Sequence, residues 1–236
     1  MGHLNEPVLP GTAATDYERY LRTDELLSLQ KSPAEMAHRD ELLFQTIHQA
    51  SELWLKLAAA EVAEATSELD RDAIWPAVRL LRRASDALDL VHDNTLMLEH
   101  LAPWDYHAMR PSLGHGSGFD SPGFRATHDL SPRLGEAFDR LLERRGVELG
   151  CLYQDSHAHE DLFQLAERLL DWDQRLIVWR TVHLKLVERI IGGQVIGTQG
   201  TPVEVLGRRI DVRYFEALWD IRNQLTGLAH TSPETA

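Results

Sequence analysis

Residues Asp40 to Lys56 read DELLFQTIHQASELWLK, and their spacing decides the fold class. Phe44, His48 and Glu52 recur at every fourth residue, with Leu55 close behind, so a helix of about 3.6 residues per turn stacks them along one side. A histidine on such a face is more often a core residue with a satisfied hydrogen bond than a ligand. His48 therefore gains meaning only from what accompanies it.

Helical periodicity extends outward from this stretch in both directions. A short segment is expected around Tyr20 to Gln30, then a long one from about Ala34 to Leu69, then a third from Ile74 to His100 with Leu80, Leu81, Ala84, Leu88 and Val91 on its apolar face. Pro103 breaks the pattern, Asp105 to Leu113 reads as a short helical piece, and the glycines and prolines of 114–123 mark a loop. Further helices are expected over Arg133–Arg145, Glu160–Leu170, Trp172–Ile191 and Val212–Leu225. Strand-like alternation is scarce, no internal repeat is visible, and no interior stretch has the composition of a linker. The expectation is one all-α domain over 1–236, a helical bundle with flexible ends at 1–16 and 227–236.

Composition narrows the function classes. The chain carries 24 basic and 37 acidic residues, a formal charge of −13, which disfavours nucleic acid and anionic membrane as partners because both demand a basic footprint. Cys151 is the single cysteine, so an intrachain disulfide and a cysteine-rich metal site are excluded, and a reducing cytoplasm fits. The first sixteen residues lack both a basic start and an apolar run, so they do not read as a secretory signal. No run approaches the roughly 18–20 apolar residues that span a bilayer.

Several constellations carry chemistry. His183 lies in WRTVHLKLVERII with Trp179, Leu186, Val187 and Ile190 on its side of a helix, and an imidazole in an apolar groove is the donor a haem iron takes, although a plain buried histidine is commoner. Tyr106 and Arg110 are one helical turn apart, and the planar guanidinium suits a carboxylate, against the commoner solvated arginine. LGHGSGFDS, Leu113 to Ser121, offers small residues and the Ser117 hydroxyl, as a plain loop also would. It is no nucleophile elbow, since His115 stands where that motif has glycine, and no dinucleotide fingerprint, since no strand precedes it. Gly197, Thr198, Gln199, Gly200 and Thr201 could close hydroxyls and amides over an anionic group. His157, His159, Glu160 and Asp161 combine metal-ligand types without the HExxH spacing, and read better as an exposed loop and helix start with Asp155 or Ser156 as cap.

Taken together, YERYLRTDELLSLQ (Tyr17–Gln30), HRDELLFQTIHQASELWLK (His38–Lys56), YHAMRPSLGHGSGFDS (Tyr106–Ser121), the His183 helix, GTQGT (Gly197–Thr201) and YFEALWDIR near the end resemble the tryptophan 2,3-dioxygenase family in order and rough spacing. The resemblance implies an all-helical bundle enclosing a haem b pocket, usually in a homotetramer, that inserts both atoms of O2 across the indole C2–C3 bond of L-tryptophan to give N-formylkynurenine. It implies His183 as the axial iron ligand, Phe44 packed on the indole, His48 accepting or relaying the indole N–H, and Ser117 and Gly118 lining the oxygen pocket. It further implies Arg110 as the carboxylate clamp, aided by Tyr106 and Thr198, with Tyr17, Tyr20 and Leu21 reaching into a neighbouring subunit's site.

Three departures accompany the resemblance. The stretch from Arg125 to His183 is tens of residues shorter than the family's usual middle, Asp120 replaces a glutamine, and GTQGT replaces GTGGS with one extra residue before Thr198. Such a shortened relative could instead be a haem-dependent monooxygenase of tryptophan, a methylated tryptophan or another aromatic amino acid. A haem- or ligand-binding protein without turnover is the third reading, disfavoured because a bare haem pocket needs no carboxylate clamp.

Overall fold

The computed structural model describes residues 6–196 and 202–231. Ten α-helices run through them: α1 Asp16–Leu21, α2 Thr23–Leu26, α3 Glu41–Asp70, α4 Ile74–Leu96, α5 Pro103–Met109, α6 Pro122–Arg145, α7 Leu149–Gln154, α8 Glu160–Ile191, α9 Glu204–Gly207 and α10 Glu216–Thr231. Among the described residues there is no strand, only an isolated antiparallel bridge between Ile196 and Pro202. The fold is all-α, and no described helix is long and apolar enough to cross a membrane.

Four long helices make the core. α3 lies between α4 and α6, and α4 packs in turn on α8. Leu55, Ala58, Val62, Ala65 and Leu69 on α3 are fully buried, and so are Ala77, Leu81, Ala84 and Val91 on α4. Alternating alanine with leucine and valine lets the two backbones approach while the larger side chains interdigitate, and this burial is the main source of stability for helices that would be marginal alone. Only Arg71, Asp72 and Ala73 separate α3 from α4, and so short a connection forces antiparallel neighbours. Asp72 takes φ 63°, unusual outside glycine, and its carboxylate is held by Arg145 at 3.0 Å.

Several boundaries differ from the periodicity; α10, for one, runs Glu216–Thr231 rather than Val212–Leu225 and so enters the end expected to be flexible. The long N-terminal helix begins at Glu41 rather than near Ala34, because residues 31–40 form turns whose polar groups bond to the first turn of α3. α6 begins at Pro122, eleven residues before the expected start at Arg133, since Pro122 occupies the first helical turn, where its missing N–H costs nothing, and Ser121 caps Phe124 N–H at 3.1 Å. The two helices expected over 160–191 are one of 32 residues. Asp171 does not interrupt it, because its carboxylate pairs with Arg168 at 2.8 Å and Arg175 at 3.6 Å on the same face.

Trp172 and Asp173, both buried in the bundle, are paired, whereas Ser85 Oγ and His92 Nδ1 on α4 are buried with no hydrogen-bond partner among the described residues. Trp172 is fully buried, and its indole N–H donates to Ser131 Oγ on α6 at 2.9 Å. Asp173, equally buried, accepts from Tyr214 N–H at 3.1 Å and Trp219 Nε1–H at 2.9 Å, tying the start of α10 to the middle of α8. Burial pushes its carboxyl above the usual range against those hydrogen bonds.

Candidate active site

A second, smaller apolar cluster sits apart from the bundle core, where the first turns of α3, the helix α5 and the last turns of α8 meet. Ile47, Leu98, Leu101, Met109, Leu186 and Ile190 are buried there, with Phe44, Tyr106 and Val182 packed against them. Two of the candidate residues, Phe44 and Tyr106, thus belong to its wall.

On α3 the four-residue spacing brings Phe44 and His48 into a stacked pair, ring centroids 4.0 Å apart. His48 Nδ1 lies 2.7 Å from the Phe44 carbonyl. A carbonyl only accepts, so Nδ1 carries the ring proton and Nε2 is left as an acceptor. Part of the His48 surface is open to solvent, yet the chain crowding the rest holds its pKa below the ordinary imidazole value, against a smaller upward pull from the Phe44 carbonyl and Glu52. His48 is thus a neutral acceptor at physiological pH. Tyr106 on α5 lies 6.3 Å from Phe44, ring to ring.

His183 is on the facing side, on α8. Trp179, one turn earlier, stacks on it at 4.9 Å and 13°, and Phe124 at the start of α6 stacks on Trp179 at 3.8 Å. Trp179 is itself fixed by donating Nε1–H to Thr95 Oγ1 at 3.1 Å. Burial, with a smaller contribution from nearby His48, pushes the His183 pKa down to about 4. No hydrogen bond from a described residue reaches its ring nitrogens. A Cβ on Gly118 would come 4.0 Å from His183 Cε1, so glycine keeps the space beside the imidazole clear.

The loop leading to that glycine is built from its own polar groups. Ser117 Oγ accepts Phe119 N–H at 3.3 Å while Asp120 accepts Ser117 N–H at 3.1 Å, a reciprocal cap closing the short 3-10 turn Gly118–Asp120. Asp120 in place of the family's glutamine serves this cap. Arg110 follows directly after α5 and donates to the Ile196 carbonyl at 3.1 Å, beside the Ile196–Pro202 bridge. Thr198 and the rest of 197–201 lie outside the described residues.

Tyr17, Tyr20 and Leu21 on α1 are not brought to this cluster; all three are exposed. His157, His159, Glu160 and Asp161 do not gather into a ligand set. Among the described residues, the group with metal-ligand proximity is His38, Asp40 and Asp105. There the Asp40 N–H donates to His38 Nδ1 at 3.3 Å, which leaves the ring proton on Nε2, 3.7 Å from Asp105, and disfavours a metal on either nitrogen.

Periodicity did not reveal Phe124, because its partner Trp179 is 55 residues away in sequence. Nor did it reveal Glu41, which is 3% exposed and accepts from Lys31 Nζ at 2.6 Å, Ala37 N–H at 2.7 Å and Ser112 Oγ at 2.9 Å. It joins α3 to the turn that carries Arg110.

A family model described as Tryptophan 2,3-dioxygenase matches residues 4–141. The curated protein named tryptophan 2,3-dioxygenase from Myxococcus xanthus (strain DK1622) is 32% identical over 263 residues, covering 90% of this chain and 90% of its own. The chain belongs to the tryptophan 2,3-dioxygenase family. Two further relatives of that name, from Bacillus thuringiensis (strain Al Hakam) and Erythrobacter litoralis (strain HTCC2594), are each 34% identical, covering 89% and 79% of this chain and 92% and 90% of their own. The Myxococcus alignment is longer than the 236 residues of this chain, so that dioxygenase carries residues that this member of the family lacks.

The family implies haem, and the chemistry of the donor set here fits it. A neutral imidazole whose nitrogens no described residue hydrogen-bonds, an aromatic wall of Trp179 and Phe124, and a glycine beside the ring are what an axial ligand and an apolar macrocycle require.

Proposed function

We propose that this chain is a haem-dependent tryptophan 2,3-dioxygenase that converts L-tryptophan and O2 to N-formylkynurenine. The single observation that carries the reading is two neighbouring neutral histidines of complementary character. His183 stands against an aromatic wall with no hydrogen bond from a described residue to its ring nitrogens, and His48 is held as an Nε2 acceptor beside Phe44.

His183 would hold the iron and Gly118 and Ser117 would border the space for O2. When bound, haem supplies the redox-active iron that makes O2 reactive toward an aromatic ring. The remaining work falls to side chains. Phe44 packs against the indole, and His48 Nε2 accepts the indole N–H, fixing which edge of the ring is presented. Arg110 clamps the carboxylate, with Tyr106 and Thr198 assisting, so a free amino acid is preferred to its decarboxylated amine. Displacing the Ile196 carbonyl from Arg110 is part of that binding.

The same reading makes the protein a homotetramer in which Tyr17, Tyr20 and Leu21 complete a neighbour's site. Their exposures of 69%, 78% and 45% support it, because α1 buries none of its residues in its own protomer and two tyrosines are a costly surface to leave in water. A cytoplasmic setting suits the free thiol Cys151.

The test is turnover. Haem-reconstituted, reduced protein given L-tryptophan and O2 yields a product heavier by two oxygen atoms; a gain of one would assign a monooxygenase instead.

A further inference from the structure

Glu52 lies one helical turn beyond His48 on α3, and its carboxylate is spent on the start of α6. One oxygen accepts the Ser121 hydroxyl and the other accepts Gly123 N–H at 2.9 Å. Ser121 Oγ in turn accepts Phe124 N–H at 3.1 Å, so one carboxylate and one hydroxyl satisfy the free amides of that helix terminus, where negative charge is favoured. The start of α6 lies directly against side chains of α3 here. A Cβ on Gly123 would lie 2.5 Å from Leu55 Cβ and 2.8 Å from a Glu52 oxygen, so only glycine allows the approach.

What this latch holds lies on both sides of it in sequence. Immediately before it is the Ser117–Asp120 turn, which sets Gly118 beside His183. Immediately after it is Phe124, which stacks on Trp179, which stacks on His183. Loop and stack alike are anchored at residues 121–123, and those are anchored to α3 through Glu52.

We propose that Glu52 is a positioning residue of the oxygen pocket: by latching Ser121 and Gly123 to the His48 helix, it fixes Gly118 and the Phe124–Trp179 wall relative to His183. The assignment of the pocket itself rests on the function proposed above. A purely structural carboxylate would change stability alone, whereas a positioning one changes the geometry of the pocket in protein that is still folded.

The experiment compares wild type with Glu52→Gln and Ser121→Ala. Glutamine can still accept from Ser121 but turns an N–H toward Gly123, and Ser121→Ala removes the hydroxyl while leaving the charge. Amide hydrogen exchange is followed over residues 117–124, and on haem-loaded protein the C–O stretch of the ferrous carbonyl complex and the KM values for O2 and for tryptophan are measured. Both variants are expected to speed exchange in that segment roughly tenfold or more, the range set by losing a hydrogen bond to a charged group. They are also expected to broaden or shift the C–O band and to raise KM for O2 while leaving KM for tryptophan near wild type. Unchanged exchange and an unchanged band, with only the melting temperature lowered, would overturn the proposal. Failure of wild type to bind haem overturns the proposed function instead, and exchange over 117–124 still decides the latch.

Discussion

His48 donates its Nδ1 proton to the carbonyl of Phe44, 2.7 Å away, while the Phe44 ring stacks on the same imidazole at 4.0 Å. One residue thus fixes both the tautomer and the plane of the other. The acceptor this leaves at Nε2 is lost only on protonation, and crowding depresses the pKa. The neutral form therefore persists below about pH 6.5, the usual imidazole value. The acid limb of kcat/KM for tryptophan is expected to fall below that value and to disappear in His48→Ala. That variant is expected to lose roughly three- to tenfold in kcat/KM, since one neutral hydrogen bond is worth about 1 kcal/mol. An acid limb at or above 6.5 would remove the acceptor role.

Arg110→Ala should raise KM for tryptophan by the equivalent of roughly 2–5 kcal/mol, the cost of truncating one member of a buried charged pair. Haem content should stay near wild type. Tryptamine, which lacks the carboxylate, should lose little affinity in the same variant. Equal losses for both ligands would place the carboxylate elsewhere.

Glu41 predicts an acid-sensitive tether. Burial pushes its carboxyl upward, but Lys31, Ala37 N–H and the Ser112 hydroxyl together outweigh this and hold it below the usual range. Its contribution is fully present above the ordinary carboxylate pKa and is lost as pH falls through the depressed folded value. Wild type should therefore lose more stability than Glu41→Gln between about pH 5 and pH 3 in urea titrations. At neutral pH, Glu41→Ala should cost about 1.5–3 kcal/mol, and more if its donors are left unsatisfied.

The bundle core was legible in the sequence where apolar periodicity is unbroken, as on α4, expected over Ile74–His100 and found over Ile74–Leu96 with a 3-10 turn to His100. It misled where a residue type has two local meanings. Asp171 reads as an interruption but sits mid-helix between two arginines, and Pro122 reads as loop but opens α6. At the site, the Phe44–His48 pair was legible because a helix makes fourth neighbours touch. Trp179 beside His183 was legible in the same way, but the stacking of Phe124 on Trp179 and the closeness of Gly123 to Leu55 were not, because those partners meet only through tertiary packing.

Asp173 gives a stability test independent of function. Its buried carboxylate accepts from three donors across the α8–α10 boundary, the N–H groups of Tyr214, Phe215 and the Trp219 indole, so Asp173→Ala should destabilise by roughly 2–4 kcal/mol and loosen α10 first. Near-native stability of that variant would show that α10 is held by apolar contacts alone.

The most direct measurement is haem binding and turnover by wild type and His183→Ala, side by side. Wild type is expected to take up haem stoichiometrically with a Soret band and to add two oxygen atoms to L-tryptophan, while folded His183→Ala does neither. A His183→Ala protein with full haem content and a native Soret band would contradict that expectation.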